Sequence, residues 1–273
     1  MAAGRFTAAA WLTSLALLMG LEGRALAQDV SAEVVRDLAP SGHLRAAINF
    51  GNPVLAQKDP VDGRPRGVSA DLARELAGRL GVPVDFVAFD GAGQVFDAVR
   101  THAWDVAFLA VDPVRAAGID FTPPYVVIEG TYVVPRTSPI ETIEAVDRDG
   151  VRIAVGRGSA YDLYLTRTLK HAILVRSATS AQAIDAFAKG GFDAAAGVRQ
   201  PLAAFAATHA DVRLIPGRFM AIEQAMGAPK GHEEGRLFLT KFVEEMKANG
   251  FIARALKASG QGDAEVAPPA ADK

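Results

Sequence analysis

Arg115 follows an apolar run, Val106 to Ala110, and precedes Asp120-Phe121-Thr122-Pro123-Pro124-Tyr125. One fixed cation is therefore set just past a buried strand and backed by a stiff Pro-Pro-aromatic segment. The planar fork of an arginine matches a carboxylate bidentately, stays charged at physiological pH, and pairs more strongly where water is scarce. The chemistry this points to is capture of a small carboxylate. A lone arginine is more simply a solvated surface group, and it is the surroundings that argue for a site. A second feature is Gly156-Arg157-Gly158-Ser159. A Gly-x-Ser turn opening a helix offers unpaired N–H groups and a positive dipole end to an anion, although Ser159 also serves as the helix cap.

The elements that must hold these residues alternate between strand and helix, which predicts parallel sheets covered by helices. Leu44 to Asn49 reads as a strand. Ser69 then caps a helix with Leu72, Leu76 and Leu80 on one face and Gly81 as its stop. Val82 to Phe89 is the next strand, a helix carries Val95, Phe96 and Val99, and the strand Val106 to Ala110 leads to Arg115. The candidate site thus lies at the C-terminal end of a strand, where open α/β sheets bind ligands. The pattern restarts with a strand at Val151 to Val155, a helix from Ala160 to His171 and a strand at Ala172 to Val175. A further helix, capped by Thr179 or Ser180, stops at Gly190-Gly191. Two α/β lobes in series imply a cleft between them, with Tyr125 to Val134 and Phe219 to Met226 as the crossings. The last helices place Phe238, Phe242 and Met246, then Ile252 and Leu256, inward.

Composition narrows the class. The 29 Lys+Arg against 31 Asp+Glu leave no electrostatic footprint for nucleic acid. Arg5, the apolar run Thr7 to Leu21 and Ala25-Leu26-Ala27 read as a signal peptide over residues 1–27, too short for the roughly 20 apolar residues of a membrane span. The sequence has no cysteine, which excludes disulfides, thiol nucleophiles and a lipid-modified N-terminal cysteine. The mature chain is expected to be free in the periplasm. The five histidines show no metal-ligand spacing and no persuasive Ser-His-Asp order, so neither a metal nor another cofactor is expected. Residues 28–134 and 225–260 are assigned to lobe 1 and 135–224 to lobe 2. The stretch 261–273, with Pro268-Pro269 and several alanines, reads as a disordered tail.

From about Leu44 to Ser259 the chain resembles the periplasmic solute-binding proteins of ABC importers, amino-acid-binding type (family 3, type II periplasmic binding fold). The marks are Gly67-Val68-Ser69-Ala70-Asp71-Leu72-Ala73 in the place of Gly-Phe-Asp-x-Asp-Leu-Ala, then Arg115 with Asp120 to Tyr125. Val151 to Val155 with Gly158-Ser159, Gly191-Phe192-Asp193-Ala194 and Met246 to Gly250 complete them. The resemblance implies a monomeric two-lobed fold closing on a small carboxylate-bearing solute, an amino acid or related organic acid, and an ABC permease as partner. It implies that Arg115 holds the ligand carboxylate, helped by the hydroxyl and amides at Gly158-Ser159.

The departures bear on the ligand. Val198 stands where relatives place the acid that takes the ligand ammonium, Asn49 where many have Asp, and Asn52 where they have an aromatic. Arg199 could reach the cleft and hold a second acidic group, or be a solvated surface residue. Glu223, on the second crossing, could supply an ammonium contact or pair with an arginine. Tyr161 and Phe50 are candidate cleft aromatics or ordinary packing. The alternative is an enzyme resembling the cyclohexadienyl dehydratases of the same fold, with Glu223 the one residue nominated as general acid.

Overall fold

The computed structural model describes residues 30–271, so the signal peptide expected over residues 1–27 lies outside the described residues. The chain opens with α1 (Ala32–Leu38), β1 (Leu44–Asn49) and a small hairpin, β2 (Gln57–Lys58) and β3 (Pro65–Arg66). Then come α2 (Val68–Leu80), β4 (Val84–Phe89), α3 (Ala92–Asp97) and β5 (Val106–Ala110). β1 lies between β4 and β5, parallel to both. β5 is buried along its whole length, as expected of a central strand covered on both faces. Leu72, Leu76 and Leu80 are buried together, and Gly81 ends α2 in the left-handed conformation that favours glycine. Ser69 does not cap α2. Gly67 holds that position, and the Ser69 hydroxyl sits inside the first turn, 3.3 Å from the Tyr125 hydroxyl.

After the single turn α4 (Pro113–Ala116), β6 (Ile119–Pro135) runs into the second half of the molecule. There follow β7 (Arg152–Gly156), α5 (Ala160–Thr168), β8 (Ile173–Ser177), α6 (Ser180–Ala188), β9 (Ala194–Val198), α7 (Arg199–Thr208) and β10 (Val212–Leu214). β7 lies between β8 and β9, again parallel. β11 (Met220–Pro229) returns antiparallel to β6. Its Gln224 to Gly227 stretch also pairs with β5, while Gly130 to Val133 of β6 pair with β9. The two parallel half-sheets are thereby joined through β6 and β11 into one ten-stranded sheet of described residues, with a main path β4-β1-β5-β11-β6-β9-β7-β8.

The join is irregular for a chemical reason. Pro123 and Pro124 have no N–H to donate to a ladder. The register of β11 against β6 slips on either side of Ala225, and the Met226 N–H donates instead to the Thr122 hydroxyl at 3.2 Å.

α8 (Glu233–Ala248) and α9 (Phe251–Ala258) come back to the first half, burying Phe242, Met246, Ile252 and Leu256. The tail expected to be disordered from residue 261 is instead ordered over most of its length. β12 (Glu265–Val266) pairs with Val126 and Val127 of β6, Ala264 and Ala267 are buried, and the Ala267 N–H donates to the Tyr125 carbonyl at 3.1 Å. Lys247 Nζ donates to the carbonyls of Pro268 (2.8 Å) and Pro124 (3.2 Å). Composition foresees no core there, but an open strand edge needs no core-forming sequence to recruit a partner. No helix among the described residues is long and apolar enough to cross a membrane.

Candidate functional site

The C-terminal ends of β1 and β5 face the turn after β7, and between them lies a cavity of about 40 Å³. Asn49, Asn52, Ala110 and Arg115 line it from the first half, Ser159 and Tyr161 from the second, and Ile222 and Gln224 from β11. Arg115 is held there by local structure. Asp112 caps α4 by accepting the Val114 N–H at 2.8 Å, Pro113 starts the turn, and the side chain folds back inward. Only 1% of Arg115 is exposed. Its Nη1 donates to the Ala110 carbonyl (2.9 Å) and its Nη2 crosses the cleft to the Gly158 carbonyl (2.9 Å). Its Nε has no partner.

Burial pulls the Arg115 pKa down to about 10, with Asp112 opposing, so the group remains cationic at neutral pH. Asp112 does little to neutralise it, because its other oxygen accepts from Arg167 of α5 at 2.8 Å, a second bond across the cleft. A buried guanidinium without a carboxylate of its own, and with a donor left over, is a group prepared for an anion.

Of the residues singled out from sequence, Arg115, Asn49, Asn52, Ser159 and Tyr161 come together here. Ser159 caps α5, its hydroxyl accepting the Asp162 N–H at 3.0 Å, while it also lines the cavity. Tyr161 donates to the Ser180 hydroxyl (2.5 Å), and burial raises its pKa. Asn49 Oδ1 accepts the Gly51 N–H at 3.0 Å, and Asn52, 8% exposed, has an Oδ1 with no partner. Tyr125 is buried away from the site, edge-on to Phe108. Phe50 does not line the cavity and instead carries Lys58 over its ring.

Two expectations are corrected. Arg199 does not reach the cleft: it begins α7 one residue past Val198, turns outward, and binds Glu129 of β6 and the Gly217 carbonyl (2.6 Å). Glu223 faces away as well. Side chains alternate along a strand, so Ile222 and Gln224 of β11 point into the cavity and Glu223 is exposed on the other face. The lining residues with polar side chains that the sequence reading leaves out are Arg157, Gln224, Thr179 and Ser180. The strand-end rule that found Arg115 applies equally to Arg157 after β7, and period-two alternation from Ile222 selects Gln224.

Glycines let the two halves approach. A Cβ on Gly158, whose φ is 67°, would lie 2.7 Å from Gly93 Cα, and one on Gly93 would lie 3.0 Å from the Arg157 carbonyl. Within the second half, a Cβ on Gly156 would come within 2.7 Å of the Ser180 nitrogen, so glycine there lets β7 and α6 meet.

Residues 45–259 match the model of the bacterial extracellular solute-binding proteins, family 3. The chain belongs to this family. The two-lobed α/β fold, with its cleft between lobes joined by two crossing strands, is that of the type II periplasmic binding proteins. A mutant of ArgBP from T. maritima superposes with TM-score 0.72 at 21% identity, covering 83% of this chain and 99% of that one. A cysteine-binding protein from Campylobacter jejuni gives TM-score 0.71 at 21% identity, with 81% and 90% covered. The ancestral amino acid-binding protein AncCDT-1, described as a precursor of cyclohexadienyl dehydratase, gives 0.69 at 24%, with 82% and 98% covered. At these identities the likeness is one of fold. No curated protein matches the sequence.

Proposed function

We propose that this protein is the periplasmic solute-binding component of an ABC importer, exported by its leader and working as a monomer that closes two lobes on a small carboxylate-bearing solute. The lobes correspond to residues 28–134 with 225–260, and 135–224. One observation carries the reading: a fully buried guanidinium bridges the halves, bonded to Ala110 on its own side and Gly158 on the other, with Nε unpartnered. An arriving carboxylate would take Arg115 in place of the Gly158 carbonyl and be met by Ser159 and the first-turn amides of α5. About 40 Å³ holds a water-sized group, so the ligand would stand the lobes slightly further apart than here. Because both half-sites are satisfied only when the ligand spans them, binding favours closure. The permease would then read the closed form.

A dehydratase-like reading needs an acid near the substrate. Glu223 does not supply one, and no Asp or Glu among the described residues lines the cavity. The test is a thermal-shift screen of the mature protein, refolded to strip carried ligand, against amino acids, dicarboxylates, keto acids and aromatic acids. A ligand at 100 times its Kd stabilises a fold by about 2.7 kcal/mol. The expected result is a shift from one acid class that disappears in Arg115→Ala; a shift of equal size in that variant would remove Arg115 as the anchor.

A further inference from the structure

The charge around the cavity is one-sided. Arg115 and Arg157 both line it, one fully buried and one exposed at the rim, and no carboxylate among the described residues faces them. Two acids on the elements that carry the site are engaged elsewhere. Asp112 holds Arg167, and Asp162 holds Arg176 (2.8 Å) and the Gly158 N–H (2.8 Å). Arg157 itself makes no side-chain hydrogen bond or ion pair among the described residues.

On the same wall, the first turn of the nine-residue α6 contributes Thr179 and Ser180. Thr179 Oγ1 accepts the Gln182 N–H, leaving the earlier amides and the positive end of the helix to the cavity. Among the residues lining the cavity, the other buried polar atom without a partner is a neutral acceptor, Asn52 Oδ1. A zwitterion would place its ammonium here with neutral acceptors such as Asn52 Oδ1 but no opposite charge, and with two guanidinium groups close by, a desolvation and repulsion penalty that no carboxylate in the lining offsets.

We infer that the ligand is a small diacid without an amine, one acid group on Arg115 and the second on Arg157 and the start of α6, with Asn52 accommodating a hydroxyl. This rests on the proposed carboxylate-capture function and specifies its ligand. The wall also shows where an amine partner could be installed: Val198 lines the cavity and occupies the N-cap of α7 with no side-chain cap, a position where Asp is favoured.

The experiment is titration calorimetry of the refolded mature protein with L-malate, L-aspartate and L-lactate. The first two differ only in hydroxyl against ammonium, and the third lacks the second acid. L-Malate is expected to bind at least about tenfold tighter than L-aspartate and than L-lactate, a gap of about 1.4 kcal/mol or more. Arg157→Gln is expected to bring malate close to lactate while leaving lactate within about threefold, and Val198→Asp to move preference toward aspartate. Because Arg157 is exposed, its variant keeps the test decisive should Val198→Asp fold poorly.

Aspartate binding as tightly as malate would overturn the absence of an amine. Lactate matching malate, or Arg157→Gln without effect, would overturn the second acid site. In each of those cases, heats that still require Arg115 leave carboxylate capture standing, whereas binding that survives Arg115→Ala overturns that function itself. No heat from any of the three overturns the diacid inference, and the acid-class screen then decides the broader one.

Discussion

At the scale of single residues, Arg115 is held against its own solvation. Its pKa in the folded protein, about 10, lies below the ordinary guanidinium value, so folding disfavours its charged form. That opposition is in full force at neutral pH and eases only as pH climbs past about 10 toward the ordinary guanidinium value. Replacing a buried charge with an apolar side chain of similar length is often neutral or stabilising. Arg115→Met is therefore expected to unfold in urea at pH 7 within about 2 kcal/mol of the parent, or above it, while losing the ligand response. A loss beyond about 3 kcal/mol would mean that the bonds to the Ala110 and Gly158 carbonyls outweigh the cost of burial. Residue types announced much of this site. Arginine after an apolar strand and Gly-x-Ser before a helix carry their chemistry in their order. Arg157 reads in that turn as the spacer between two glycines, and only geometry shows the spacer at the cavity.

Elements decide which neighbours of a correct residue are also correct. Glu223 lies on the right strand and fails by one position, since parity alone separates it from Ile222 and Gln224. Arg199 fails similarly, one step beyond the last residue of β9, where the chain turns into α7 and Glu129 of β6 offers a counter-charge. Strand identity is legible in an apolar run; strand phase at an irregular join such as that opposite Pro123-Pro124 is not. The turn between β7 and α5 makes its own demand. Gly158→Ala would set a Cβ 2.7 Å from Gly93 Cα and require a left-handed backbone of a side-chain-bearing residue. Its thermal stability is expected to fall by about 1 kcal/mol, and its ligand affinity by about tenfold or more because the clash arises on closure. Calorimetry showing parental affinity would mean that the lobes close without this contact.

For the molecule as a whole, β6 and β11 are the sheet's centre and the strands that join its two halves, and the end of the chain straps one of them. Ending the chain at Gln261 removes the pairing of β12 with β6, the burial of Ala264 and Ala267, and the bond from Lys247 to the Pro268 carbonyl. A loss of about 1 to 3 kcal/mol in chemical unfolding is expected, the range for breaking a buried local network. An unchanged midpoint would mean that the strap is thermodynamically idle. The alternation of strands and helices made the two halves readable from sequence, because each needs its own apolar strands and faces. The strap was not, because its hydrogen bonds are made by backbone that any composition possesses. The same strap governs how this protein could be turned into an optical sensor. Its C-terminal segment is anchored beside the crossing strands, where closure about them would produce the least displacement. A fluorophore fused there would report closure poorly, whereas dyes at Val61, 92% exposed next to the β2–β3 hairpin, and Ile173, 52% exposed at the start of β8, would ride on opposite arms of the lever.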